Sequence, residues 1–282
     1  MANPMTPTAR RRRLGAELRK LRERAGITAT EAAALLGGNQ ARISNIEAGR
    51  YGVSAERVRT LSRHYDCTDR ALVDALAALT GERRQGWWEG YRGLLPERLI
   101  DLAEVEYHGT AFRTSGTLGV PELLQTTDYA RESLRRYLPT LDQSAIEHRL
   151  SFRMKRQTVV FREGPPPFTA LIHEAALHMP FEQSGLAAHQ LRHLLTMGER
   201  DHIILRVVPF AAGHPGHGHA FSYVQADVPQ LDTVHLDLPH GTLLLDAEPE
   251  LRTYREGLDH LESLALSPSD SLSAIRDLTP SQ

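Results

Sequence analysis

Apolar residues recur at Leu14, Leu18, Leu21 and Ala25, the spacing of one helical face, and Gly26 marks the end of that run. A second helix is predicted to start at once. Thr28 is an N-cap residue with Glu31 three positions on, the chemistry of a capping box, and Ala32, Ala33, Leu35 and Leu36 follow before Gly37 and Gly38 break the pattern. Asn39 is placed to cap a third helix with Ile43 and Ile46 facing inward, and Gly49 stops it. A fourth helix is expected over residues 54–65, with Val58 and Leu61 inward. A fifth is expected over 69–79, with Leu72, Leu76 and Leu79 inward.

Residues 80–86 are polar and lie before Trp87 and Trp88, so the boundary is placed there: an N-terminal unit over 1–80, a linker over 81–86 and a second domain over 87–282. The tryptophan pair reads as a packing anchor. Helices are expected over 95–112, 127–137 and 144–161, then a proline hinge at 165–167. Strands are expected over 168–173, 203–210, 220–226, 233–238 and 242–246, with a helix over 186–197 among them and another over 249–265. The fold class is therefore α+β: an all-α helix-turn-helix bundle followed by a mixed α+β domain. Leu123, Leu124, Tyr129 and Leu134 form an apolar stripe that could meet a partner, but helical spacing of this kind usually packs, and core is the expectation.

A length of 282 residues is long for one core and agrees with two units, one of them small. Cys67 is the only cysteine, which excludes an internal disulfide framework. No stretch approaches the roughly 20 apolar residues of a membrane helix, so a cytoplasmic location with no membrane partner is the expectation. Charge changes the picture more. Residues 1–80 carry 14 Lys+Arg against 8 Asp+Glu, whereas the rest of the chain carries 19 against 27. A basic head on an acidic body points to a polyanion that meets only the head.

Two short helices joined by a glycine turn make the unit that sets its second helix in a major groove of DNA. With Ile43 and Ile46 inward, Gln40, Ala41, Arg42 and Asn45 fall on the outward, N-terminal side of the third helix. Arginine can grip guanine O6 and N7 with two hydrogen bonds, and glutamine or asparagine can do the same to adenine. Gln40, Arg42 and Asn45 are therefore the expected base readers, with Ala41 beside them. Asn39, Ser44, Arg50 and a basic arm of Arg10, Arg11, Arg12 and Arg13 are expected to hold phosphates, fixing position without reading sequence.

Gly26-Ile27-Thr28, Ala33 to Gly37 and the run from Gln40 to Gly49 resemble the Cro/repressor-type (XRE) helix-turn-helix domains. That resemblance implies a five-helix bundle, a site-specific double-stranded DNA operator as partner, and a structural ion pair between Arg22 and Glu47. Ala29 and Ala48 stand where such domains often carry glutamine and asparagine, which implies fewer backbone contacts there. Farther along, Val120 to Arg131, Arg149-x-x-x-Arg153-x-x-x-Gln157, His173 to Leu177, Gln190 to Leu194, Val208 to Gly213 and Ala265 to Ser271 resemble the effector domain of WhiJ-type, antitoxin-like actinomycete regulators. Glu122 and His178 stand where that pattern usually has glycine and arginine. The resemblance implies a repressor relieved by a small partner protein, possibly encoded beside it. A small-molecule effector is the alternative, and a homodimer is expected because one module covers only a few base pairs.

Catalytic chemistry is weakly represented. No nucleophile elbow, phosphate-cradling loop or dinucleotide fingerprint occurs. His173 and Glu174 could form an acid/base pair, yet no nucleophile can be assigned beside them, and Glu174 is expected to make a structural hydrogen bond. His189 and His193 share a helix face, but Gln190 stands where a zinc protease of that pattern needs glutamate. His214, His217 and His219 are weak metal candidates on a glycine- and proline-rich loop. The chain is accordingly expected to be no enzyme and to need no cofactor.

Overall fold

The computed structural model describes residues 7–80, 86–179, 181, 185–214, 216, 219–238 and 241–279. Residues 81–85, most of the expected linker, lie outside the described residues. The chain divides into two compact units, Met1–Glu89 with Asp227–Leu231, and Gly90–Ala226 with Asp232–Gln282.

The first unit is built from α1 (Ala9–Arg24), α2 (Ala29–Leu35), α3 (Gln40–Glu47), α4 (Ala55–His64) and α5 (Arg70–Ala78). Each helix starts on a short polar side chain: Thr8, Thr28, Asn39, Ser54 and Asp69 each accept a hydrogen bond from a backbone N–H of the first turn. At Thr28 the capping box is complete, because Glu31 in turn accepts from the Thr28 N–H at 2.7 Å. Leu14, Leu18, Leu21, Ile43, Ile46, Val58, Leu61, Leu72 and Leu76 form the core. Cys67 is half-buried.

The second unit contains α6 (Glu97–Tyr107), β1 (Ala111–Gly116), α7 (Thr127–Tyr137), α8 (Gln143–Arg156), α9 (Thr158–Phe161), β2 (Phe168–His173), α10 (Glu174–His178), α11 (Leu186–Gly198), β3 (Ile203–Val208), β4 (Phe221–Gln225), β5 (Thr233–Leu238), β6 (Gly241–Leu245), α12 (Glu248–Leu264) and α13 (Pro268–Asp277). The six strands form one mixed sheet in the order β3-β2-β1-β4-β5-β6. β1, β2 and β3 run parallel, and the pairs β1-β4, β4-β5 and β5-β6 are antiparallel. Each face carries its own core. Phe112, Phe168, Ala170, Ile172, Leu205 and Val224 pack with Leu191 and Leu194 of α11 and Ile275 of α13. On the other face Leu171, Tyr223, Val234 and Leu236 pack with Leu251, Leu258 and Leu261 of α12. Sheet and helices together are the α+β fold expected.

The sequence reading departs from the structure at β1. It ran a single helix across 95–112, whereas α6 stops at Tyr107 and the chain enters the strand through Gly109. A Cβ at Gly109 would lie 2.7 Å from the Phe112 ring and the Val224 side chain, so only glycine fits the approach. The strand escaped detection because Arg113, Thr114, Ser115 and Gly116 give no apolar alternation; Thr114 is buried through hydrogen bonds to Phe221 O and Ser222 Oγ instead. The helix expected over 144–161 is likewise two, α8 and α9. α10 and α13 were not anticipated, being short or charged.

Candidate nucleic-acid interface

Asn39 starts α3 by accepting from the Arg42 N–H at 3.0 Å, which fixes the rotation of the helix. Ile43 and Ile46 are buried at 2% and 3% exposure. The opposite side therefore faces out: Gln40, Ala41, Arg42 and Ser44 are exposed and Asn45 is half-buried. Among the described residues, the Arg42 and Arg50 side chains have no hydrogen bond or ion pair, so both guanidinium groups keep their donors for a ligand. Asn39, Ala41, Arg42, Asn45, Arg50 and Tyr51 line one concavity beside the helix. Gln40 is exposed but does not line it.

Tyr51 is the residue that sequence reasoning missed. Its ring is 56% exposed in that concavity, and the signal available was an aromatic two positions after the Gly49 stop. The turn is tight because the Arg50 and Tyr51 N–H groups both donate to Asn45 O, at 2.8 and 3.1 Å. Gly49 makes the turn possible, with φ +70° and with Arg12 Cα only 2.9 Å from where a Cβ would stand.

That approach corrects one expectation. Arg10 to Arg13 do not form an extended arm; they are the opening turns of α1, whose backbone at Arg12 lies against the turn after α3. Arg11 is exposed, Arg10 donates to Ala78 O at 3.2 Å, Arg12 donates to Pro7 O, and Arg13 Nε is 3.2 Å from Glu17 Oε1. Four consecutive arginines in the opening turns of α1 concentrate positive charge there, the kind that phosphates attract.

The back of α3 is held by the ion pair that the resemblance implied. Arg22 Nε and Nη2 donate to Glu47 Oε1 and Oε2 at 2.6 and 2.9 Å, and Nη1 donates to Ile27 O at 2.8 Å, which ties the pair to the turn between α1 and α2. Both side chains are only 10% exposed. The hydrogen bond to Glu47 raises the Arg22 pKa above its ordinary value against the cost of burial. Near it, burial and the Glu47 charge push the Tyr65 hydroxyl up to about 12, and that hydroxyl is buried without a hydrogen-bond partner among the described residues.

In the second unit, the spacing of four from Arg149 through Arg153 to Gln157 puts these side chains on one face of α8 and its C-cap. Gln157 donates to Glu122 O and Gln125 O at 3.1 and 2.7 Å, and Arg153 donates to the Glu122 carboxylate and to Gln125 Oε1 at 3.1 Å. Arg156 forms a bidentate pair with Glu106 at 2.6 and 2.7 Å, both side chains 3% exposed, and reaches Glu122 at 2.7 Å. The acid at Glu122, where the resembled pattern has glycine, thus joins two arginines. Gln190 completes the knot, accepting from Thr126 N at 2.7 Å and donating to Leu124 O at 2.8 Å. Leu123, Leu124, Tyr129 and Leu134 are all in the core, at 5% exposure or less. Two cavities flank this knot and share Glu122, Leu134, Tyr137, Arg153 and Asp237 in their linings.

The residues considered for catalysis serve local structure. His173 Nδ1 accepts from Ala175 N at 3.1 Å, capping α10, and Glu174 accepts from Phe210 N at 2.7 Å with His178 Nε2 at 3.5 Å. His189 is exposed and His193 half-buried, and burial lowers the His193 pKa. His214 Nδ1 accepts from Gly216 N at 3.0 Å, His219 is exposed, and His217 lies outside the described residues. Among the described residues no three His, Cys, Asp or Glu side chains gather as metal ligands, and no helix is long and apolar enough to cross a membrane.

Comparison with known families finds two matches. Residues 13–76 match a family described as a helix-turn-helix domain, and residues 99–277 match one described as a domain of unknown function, DUF5753. Neither curated proteins nor solved structures give a match.

Proposed function

The chain belongs to the DUF5753 family and carries a helix-turn-helix domain ahead of the region that defines it, and from this we propose that it is a site-specific transcriptional regulator that binds a double-stranded DNA operator as a homodimer. One observation carries the reading: α3 turns Gln40, Arg42 and Asn45 outward, with the Arg42 guanidinium unpartnered among the described residues, while Ile43 and Ile46 and the Arg22–Glu47 pair anchor its other side. Arg42 reads a guanine; Gln40 and Asn45 read adenines; Asn39, Ser44, Arg50 and the start of α1 hold phosphates. Two copies are needed because one such helix spans only a few base pairs, and half-sites then lie about 34 Å apart. This is the chemistry of the Cro/repressor-type (XRE) regulators, and that resemblance favours repression as the sign.

The test is a gel shift on the promoter of its own gene, with each candidate base pair varied in turn. Arg42→Ala is expected to relax preference at one operator base pair, at a cost of about 1–3 kcal/mol. Unchanged affinity together with unchanged base preference would remove α3 as the reading helix.

The second unit is read as the effector domain. Resemblance to WhiJ-type, antitoxin-like regulators favours a small partner protein, possibly encoded adjacently, as the input. Burial of Leu123, Leu124, Tyr129 and Leu134 leaves that stripe no part in docking. The two cavities beside α8 favour the second reading, a regulator gated by a small molecule.

A further inference from the structure

A cavity of about 470 Å³ opens beside α8 in the second unit, a size usual for small-molecule sites. Leu99, Leu134, Leu138, Phe152, Leu238 and Leu243 give it an apolar wall. Its charged lining is four arginines, Arg98, Arg149, Arg153 and Arg156, against two carboxylates, Glu122 and Asp237.

Both carboxylates are already engaged. Glu122 accepts from Arg153 and Arg156. Asp237 Oδ1 accepts from Thr242 Oγ1 at 3.2 Å and lies 3.4 Å from His235 Nε2. Arg156 spends its other donors on buried Glu106. What remains is Arg149, half-buried and, among the described residues, without a hydrogen bond or ion pair, and Arg98, exposed and equally unpartnered. Burial lowers the Arg149 pKa from its ordinary value, with the Asp237 charge working the other way, yet a guanidinium stays charged. A cation half removed from water beside a hydrocarbon wall is a costly arrangement unless an anion meets it.

We propose that this cavity binds a small apolar monocarboxylate, its acid group on the fork of Arg149 with Arg98 beside it and its hydrocarbon body against the leucines and Phe152. The planar fork of five N–H donors matches a carboxylate with two parallel hydrogen bonds. A phosphate ester would meet the same two guanidinium groups, Arg149 and Arg98, so octyl phosphate is the competing anion in the test. The proposal deepens the reading of the second unit as an effector domain and rests on it only for the consequence, a change in operator affinity when the acid binds.

Titration calorimetry on the full-length chain, without DNA, tests the site with octanoate, 1-octanol and octyl phosphate. Octanoate is expected to bind at least tenfold more tightly than octanol. Arg149→Gln should abolish that difference, Arg149→Lys should keep part of it, and neither should alter promoter binding in the absence of acid. The proposal is overturned if octanol binds the unaltered chain as well as octanoate, if octanoate does not bind it, if octyl phosphate binds more tightly, or if Arg149→Gln leaves octanoate affinity unchanged. Comparison of acid with alcohol on the unaltered chain needs no variant, so a poorly folding Arg149→Gln protein leaves the test decisive. Acid binding in a chain that does not bind its promoter would support the site and overturn the DNA-binding reading.

Discussion

Tyr65 has a fully buried hydroxyl without a hydrogen-bond partner among the described residues, and the charge of Glu47 bears on it as well as burial. Both disfavour the phenolate, so the folded pKa of about 12 stands above the unfolded value near 10. A pKa raised on folding contributes stability that is complete below pH 10 and is lost as pH rises through 12. Tyr65→Phe is expected to be neutral or slightly stabilising at pH 7, since it removes an unsatisfied polar group. Denaturant melts at pH 7 and pH 11.5 should show the unaltered chain losing on the order of 2 kcal/mol more than the variant over that interval. An identical alkaline loss in both would place the phenol in water. Residue by residue, the outward placement of Gln40, Arg42 and Asn45 was legible because it follows from the phase of Ile43 and Ile46 alone. Tyr51 was not, since its exposure depends on a turn held by two hydrogen bonds to Asn45 O.

Among the elements, α3 depends on how closely α1 can approach it. A Cβ at Gly15 would stand 2.4 Å from Glu47 O and 2.5 Å from Ile46 O, which are rigid backbone atoms at the end of α3. In an open helix, glycine to alanine stabilises by about 0.5–1 kcal/mol. Gly15→Ala is expected to have the opposite sign, destabilising by about 1–3 kcal/mol because the two helices must part. Thermal unfolding gives the sign directly; a rise in melting temperature would show that the approach is looser than the structure has it. Capping explains why the starts of α2 to α5 were legible. Every helix in the first unit starts on a side chain that caps it, whereas α6 follows Pro96 with no side-chain cap and ends at Tyr107, two residues before Gly109, so periodicity carried the sequence reading past its end.

At the scale of the whole molecule, the chain is nearly neutral, at −2, yet residues 1–80 carry an excess of six positive charges, 14 Lys+Arg against 8 Asp+Glu. Salt dependence of DNA binding should therefore report on the head alone. Replacing Arg10 to Arg13 with alanine is expected to weaken binding to all sequences alike and to flatten the plot of log affinity against log salt. Exposed Arg11 by itself should account for a slope change of about 1. Gel shifts at two salt concentrations on operator and unrelated DNA measure both. If the slope stays fixed, or if only operator binding suffers, these arginines are not phosphate contacts. Their side chains already reach Ala78 O, Pro7 O and Glu17, so the count of phosphates touched should fall below four.

The sequence alone determined the five helices of the head, the caps Thr28 and Asn39, the outward side of α3, and five of the six strands, because these follow from local periodicity and from short polar side chains next to the groups they cap. Tertiary structure decided the rest. β1 is central only because Thr114 finds partners on β4, and Gly15 and Gly49 matter only because another segment crosses them. The unpaired state of Arg149 likewise depends on how Glu122, Asp237 and Glu106 were shared among residues far apart in the chain. Pairings of that kind leave no period in the sequence, since they are settled by which long-range contacts close around each charge.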